Sequence, residues 1–252
     1  MKRAICLITI NPNKIWLDFL NNFEKYDIYI LVDNLLFNYD FYKDSYTKIK
    51  FIKITDLECK HFGFIHSSYM PNSSLKFNEI IAWDRALCYF TNFNNKYEQI
   101  WFFEDDVFFY SENTISNIDS QFIHEDLLCK DKNPEPKEGE WCWFWPAIKI
   151  YFDGPYFHSP ICAIRLSKNY LEKLNDYVKI NKKLAFIEAL IPSIASNCKL
   201  NVSLVNEFKK IHWRKDWELS EMNSNDIFHP VKNMEQQKDF RQFVAGIIIN
   251  DH

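Results

Sequence analysis

Glycine is nearly missing: Gly63, Gly139, Gly154 and Gly246 are the only four in 252 residues. There is therefore no G-x-G-x-x-G turn and no Walker loop, and the chain has no glycine-rich backbone with which to cradle a phosphate. A nucleotide bound here would need a metal and side chains around its phosphates. The seven cysteines, Cys6, Cys59, Cys88, Cys129, Cys142, Cys162 and Cys198, include no C-x-x-C pair. That excludes a zinc ribbon or a disulfide scaffold and fits free thiols in a reducing, cytoplasmic setting. Acids and bases are interspersed with a formal charge of −4, so there is no basic stripe to suggest nucleic acid. Long apolar runs are also lacking, which excludes a membrane-spanning segment, and the short run in MKRAICLITINPN reads as a first strand instead of a signal peptide.

What is present is an acidic cluster in an apolar setting. Residues 99–110 read QIWFFEDDVFFY, so an aromatic run delivers Glu104, Asp105 and Asp106 to its end. Three adjacent carboxylates repel one another, and placing them where a buried strand emerges calls for a cation. Strand alternation sends Glu104 and Asp106 to one face, where they can grip a divalent metal, and leaves Asp105 to take a hydroxyl. A solvated acidic turn is the competing reading.

Periodicity predicts strands at 3–10, 28–32 and 49–54 and a fourth, within 99–110, that carries the carboxylates, with helical spacing after Asn13, a loop over 55–75 and an amphipathic helix over 76–93. This order implies one α/β domain: an open, mostly parallel central sheet with helices on both faces. Ligands in such sheets sit beyond the carboxyl ends of the strands, where Asn11, Asp33 and the acidic cluster fall. After residue 110 the pattern loosens, with a charged loop at 130–140, a strand at 161–166, helices at 167–178 and 183–197, and FVAGIII at 243–249.

Several other residues are candidates for chemistry. Asp84 falls within the apolar stripe of helix 76–93 and needs a partner there, while Arg85 at the stripe's edge could reach the acidic cluster or a phosphate. A structural ion pair would explain both equally well. His229, in DIFHPVK, precedes a proline and lies three residues before Lys232, which suits an imidazole metal ligand beside a phosphate-neutralising ammonium. His158 and His212 compete for that role, and His212 in KKIHWRK reads as a surface residue. Glu188 has apolar neighbours that would favour the raised pKa of a general base, or it is a lone polar point on a helix. Trp141, Trp143 and Trp145 would share one face of an extended strand, suited to a sugar's C–H face or to the core.

With AWDRALCYF followed by a strand ending in EDDV, the chain resembles GT-A type glycosyltransferases, whose D-x-D-like motif binds a metal and a nucleotide-sugar diphosphate. The EDDV form is similar to that of bacterial lipooligosaccharide transferases and of small transferases from algae, protists and large DNA viruses. The resemblance implies transfer of a sugar from a UDP-sugar to a glycan hydroxyl with Mn2+ or Mg2+. Residues 1–110 would bind the donor and 111–252 the acceptor. Thr9, Asn11, Asp33, Arg85, Asp105 and Lys232 would contact the donor, and Glu104, Asp106 and His229 would hold the metal. Glu188 would be the base, and Trp141, Trp143 and His158 would meet the acceptor. A nucleotidyltransferase on a similar sheet, which would release pyrophosphate, and an inactive glycan-binding protein are the alternatives.

Overall fold

The computed structural model describes residues 1–34, 36–66, 80–136, 144–150 and 153–250. Its first half runs β1 (Arg3–Thr9), α1 (Lys14–Leu20), β2 (Asp27–Val32), α2 (Asp40–Lys43), β3 (Ile49–Ile52), α3 (Asp56–Phe62), α4 (Ala82–Cys88) and β4 (Gln99–Glu104). Then follow α5 (Glu112–Gln121), β5 (Leu127–Cys129), β6 (Asn133–Pro134), α6 (Phe144–Lys149), β7 (Phe157–His158) and β8 (Ala163–Ser167). The chain continues through α7 (Lys168–Asn181), α8 (Ile187–Asn197) and β9 (Val202–Leu204) to α9 (Met234–Asn250).

Seven strands form one sheet in the order β3-β2-β1-β4-β8-β5-β9. The first four are parallel, β8 runs antiparallel to both its neighbours, and β9 is parallel to β5. β6 and β7 pair separately as a short antiparallel ribbon. The parallel strands are apolar on both faces because helices cover both. Ala4, Cys6 and Phe102 face a core that includes residues of α3, α4, α7 and α8. Ile5, Leu7, Trp101 and Phe103 face the other, under α1 and α5. Register sets the functional edge: Thr9 pairs with Val32 and Ile8 with Glu104, so the carboxyl ends of β1, β2 and β4 finish level with one another. Ala163 pairs with Phe103, so the residues entering β8 join the same edge from the opposite direction.

Four segments depart from the sequence expectations. The predicted loop over 55–75 contains α3, begun by a capping box between Thr55 and Glu58 and ended by Gly63 in the left-handed conformation (φ 84°). The predicted helix over 76–93 starts only at Ala82, passes into a π-helical turn over Tyr89–Phe93, and its residues 76–79 lie outside the described part. Asp84 is not a stray charge in an apolar stripe: fully buried, it accepts the Ile81 backbone N–H (2.8 Å) and caps the helix it sits in. Beyond residue 110, α5 and the 17-residue α9 stand where the pattern is loose. α9 closes a third, small core in which Phe240 and Val244 meet Phe108, Trp217 and Phe228.

One buried polar cluster holds the β4–β8 pairing. Arg165 and Asp119 are both fully buried and paired at 2.6 Å. Tyr26 Oη (2.6 Å) and Trp101 Nε1 (3.1 Å) also donate to the Asp119 carboxylate. The pair is tolerable because most of its polar atoms have partners: Arg165 Nη2 also donates to the Phe122 and Glu125 carbonyls, and Arg165 Nε alone has none among the described residues.

Candidate functional site

At Glu104 the strand ends and the chain turns, with the Val107 N–H bonded to the Glu104 carbonyl (3.1 Å). Simple alternation therefore stops one residue early, yet the turn gives the expected separation. Glu104 and Asp106 converge, and Asp105 departs to accept the Thr9 hydroxyl (2.5 Å). The carbonyl of Asp105 receives both the Trp16 indole N–H (2.8 Å) and the Gln237 amide (2.9 Å). Burial pushes the Asp105 carboxyl above its usual range, the Thr9 bond opposes this, and repulsion from Asp106 adds to the rise.

His229 comes to the same place from a distant part of the chain. Phe108 and Phe228 exchange backbone hydrogen bonds (2.8 and 2.9 Å), and the Val231 N–H bonds to the Asp106 carbonyl (2.6 Å). These bonds set residues 228–231 against the acidic turn. Nδ1 of His229 lies 2.7 Å from the His212 carbonyl, which can only accept, so Nδ1 carries the proton and the neutral ring keeps its lone pair on Nε2. That nitrogen is 3.3 Å from Asp106 Oδ1. Burial opposes charging of His229, but the carboxylate of Asp106 close by outweighs it and raises its pKa. Glu104 is also raised, first by burial, although the Trp83 indole N–H bonded to its carboxylate (2.7 Å) opposes the shift.

One ligand atom each from Glu104, Asp106 and His229 lies within 4.8 Å of the others. Among the described residues, the buried Asp106 Oδ1 has no hydrogen-bond partner, and His229 Nε2 stands 3.3 Å from it. An orphaned carboxylate oxygen beside a second carboxylate and an imidazole lone pair fits a divalent cation of the Mn2+ or Mg2+ kind.

The cluster opens into a cavity of about 330 Å3, also lined by Pro160, Cys162, Glu188, His212, Trp213, Arg214, Pro230 and Lys232. Glu188 lies in the first turn of α8 with its carboxylate 3.1 Å from His158 Nε2. Its apolar sequence neighbours Ile187 and Ala189 are in the core, so the surroundings of the carboxylate are His158 and the cavity. Lys232 is exposed at the rim.

The other predicted residues sit elsewhere. Asn11 and Asp33 follow β1 and β2 at the same edge, with Asn11 exposed. Arg85 is paired with Asp33 and, at 2.7 Å, with Asp56, so the ion-pair reading describes it here and it does not line the acidic cavity. Trp141 and Trp143 lie outside the described residues. Trp145 is buried with its ring 6.5 Å from that of His158, so it offers no open face. Sequence reasoning missed Trp16, Trp83 and Gln237, whose donors are visible only once the fold brings them to the turn. It also missed Trp213 and Arg214, for which the tryptophan among cations in KKIHWRK was the available signal.

No protein-family model matches the chain, and no curated protein matches its sequence. Solved structures match in fold. A galactosyltransferase, LgtC, in complex with donor and acceptor sugar analogues superposes with a TM-score of 0.51 at 11% identity, over 95% of each chain. An active-site mutant of LgtC gives 0.49 at 9% over 96% of each. A 4-diphosphocytidyl-2C-methyl-D-erythritol synthase from Anaerococcus prevotii gives 0.43 at 10%, over 97% of this chain and 99% of its own. Among the described residues, no helix is long and apolar enough to cross a membrane. The likeness to the LgtC complex spans nearly the whole chain, and the fold is α/β and GT-A-like.

Proposed function

We propose that this protein is a metal-dependent glycosyltransferase that moves a sugar from a nucleoside diphosphate donor, a UDP-sugar, to a glycan hydroxyl. The observation that carries the reading is the convergence of Glu104, Asp106 and His229, with an orphaned Asp106 oxygen, at the carboxyl edge of a GT-A-like sheet. A bound Mn2+ or Mg2+ would neutralise the diphosphate and make it a better leaving group, which a chain without a glycine loop requires. Lys232 adds a second positive charge at the cavity rim. Asn11 and Asp33 contact base and ribose, with Arg85 holding Asp33 in place, while Asp105, tied to Thr9, lines the donor side. Glu188 takes the proton of the attacking hydroxyl, and His158 orients its carboxylate. The donor side draws mainly on residues 1–110 and the acceptor side on 111–252, although His229 and Lys232 cross that line.

The test is calorimetry of UDP binding with Mn2+ and with EDTA, followed by product analysis. UDP should bind with Mn2+ and bind far more weakly in EDTA, and Asp106→Asn should behave as the chelated protein does. His229→Ala should do the same. His212→Ala should not, because the contact that His212 makes with His229 is through its backbone carbonyl, which alanine keeps. Turnover should release UDP, and release of pyrophosphate would instead mark a nucleotidyltransferase. UDP affinity unchanged by EDTA and by Asp106→Asn refutes the metal-bridged reading.

A further inference from the structure

Trp213 is 78% exposed, and it stands between two cavities. On one side is the cavity of about 330 Å3 that holds the acidic cluster and Glu188. On the other is a cavity of about 430 Å3 in which Arg214, Lys215 and Lys232 face one carboxylate, Asp216. Trp213, Arg214, Pro230 and Lys232 line both, so the two spaces adjoin across the indole. Lys215 is engaged with Glu221 at 2.6 Å. Arg214 and Lys232 are exposed, and among the described residues neither forms an ion pair.

Topology decides which substrate meets this surface. Asn11 and Asp33 follow β1 and β2, to one side of β4, whereas Pro160, Cys162 and Glu188 lie towards β8 and α8, to the other. A nucleotide reaching the metal cluster from β1 and β2 leaves the β8 side, with Trp213, to the second substrate. An open indole face suits the C–H face of a pyranose, and an unpaired guanidinium beside it suits a planar or tetrahedral oxyanion in bidentate contact.

We propose that Trp213 and Arg214 form an acceptor subsite for an acidic sugar, one bearing a carboxylate or a phosphate. This rests on the glycosyltransferase reading for the word acceptor, but the subsite itself can be tested without turnover. Saturation-transfer NMR would compare the methyl glycosides, uronates and 6-phosphates of glucose, galactose and mannose, at low salt, with and without UDP and Mn2+. The acidic members should bind about tenfold more tightly than their neutral counterparts, and the uronates and phosphates compared with each other identify the oxyanion. Arg214→Gln should abolish that preference. Trp213→Ala should weaken acidic and neutral sugars alike by about fivefold or more, with Trp213→Phe restoring most of the loss. Equal binding of neutral and acidic sugars, no binding to any of them, or loss of UDP affinity in Arg214→Gln would overturn the proposal. Failure of the sugars to bind while UDP still binds with Mn2+ would refute the subsite and leave the proposed function intact, whereas the converse would refute only the proposed function.

Discussion

Gln237 is fully buried, and its single amide nitrogen reaches two carbonyls, Asp105 O and Val231 O, each at 2.9 Å. It thereby ties the acidic turn to the segment that carries His229. Gln237→Met keeps the volume and removes both bonds, together with the longer one that Gln237 Oε1 accepts from Arg241 (3.4 Å). Each of the two carbonyl bonds is worth about 0.5–1.5 kcal/mol net, and leaving a buried carbonyl unmet adds about 1–3 kcal/mol. Asp105 O retains the Trp16 indole, so only Val231 O incurs that addition. The expected loss of stability is about 2–6 kcal/mol, read from urea unfolding. Because the amide also sets the spacing of the metal ligands, Mn2+ affinity should fall about 10–100-fold, measured by calorimetry under conditions where the variant is fully folded. Gln236→Met on the same helix, where the amide makes a 3.3 Å bond to Trp217 O, serves as the control and should leave Mn2+ affinity unchanged. Should Gln237→Met lose stability yet bind Mn2+ within twofold of the parent, the backbone bonds at Asp106 and Phe108 hold the ligands without the amide, and the reasoning fails.

Three further outcomes follow from the same structure. Mn2+ affinity should rise steeply with pH between about 5 and 8, because His229 and Glu104, both raised, must shed protons to ligate, and a raised pKa extends proton competition to higher pH; a flat profile would exclude His229 as a ligand. Glu188→Gln should bind UDP with Mn2+ as the parent does and transfer roughly 10²–10⁴ more slowly, whereas near-normal transfer with the donor's anomeric configuration retained would remove Glu188 from the mechanism. Arg165→Met should cost about 3–5 kcal/mol by removing the guanidinium paired with the buried Asp119 carboxylate, and a urea midpoint shift equivalent to less than 1 kcal/mol would show that Tyr26, Trp101 and Arg3, whose Nε lies 3.5 Å from Asp119, satisfy that carboxylate on their own.

The sheet was legible because its signal is local: buried parallel strands are short apolar runs, and the polar residues at their ends mark the binding edge. The convergence of Glu104 with Asp106 and the departure of Asp105 were legible for the same reason, although a turn, and not strand alternation, produces them. α3 was overlooked despite its capping box and Gly63, since a helix of seven residues carries too few apolar positions to show a period. α9 was obscured in a different way, because its buried face includes Gln237, a polar residue whose partners lie 132 and 6 residues away in sequence. Arg85 illustrates the limit of spacing arguments. Its position on α4 is readable, but whether it faces a phosphate or the pair Asp33 and Asp56 depends on where β2 and α3 end.

The two carboxylates and the imidazole of the cluster are separated by more than 120 residues, and they meet only after residues 228–231 have paired with the acidic turn. A cation held by all three would act as a removable cross-link between the middle of the chain and its last strand-like segment. Its binding free energy would then be drawn on whenever that segment detaches, so Mn2+ should slow amide exchange and proteolysis around residues 228–240 more than in β3, at the far edge of the sheet. During synthesis the same arrangement delays completion of the cluster. Chains ending before Phe228 would have the two carboxylates of the acidic turn but not the imidazole that joins them.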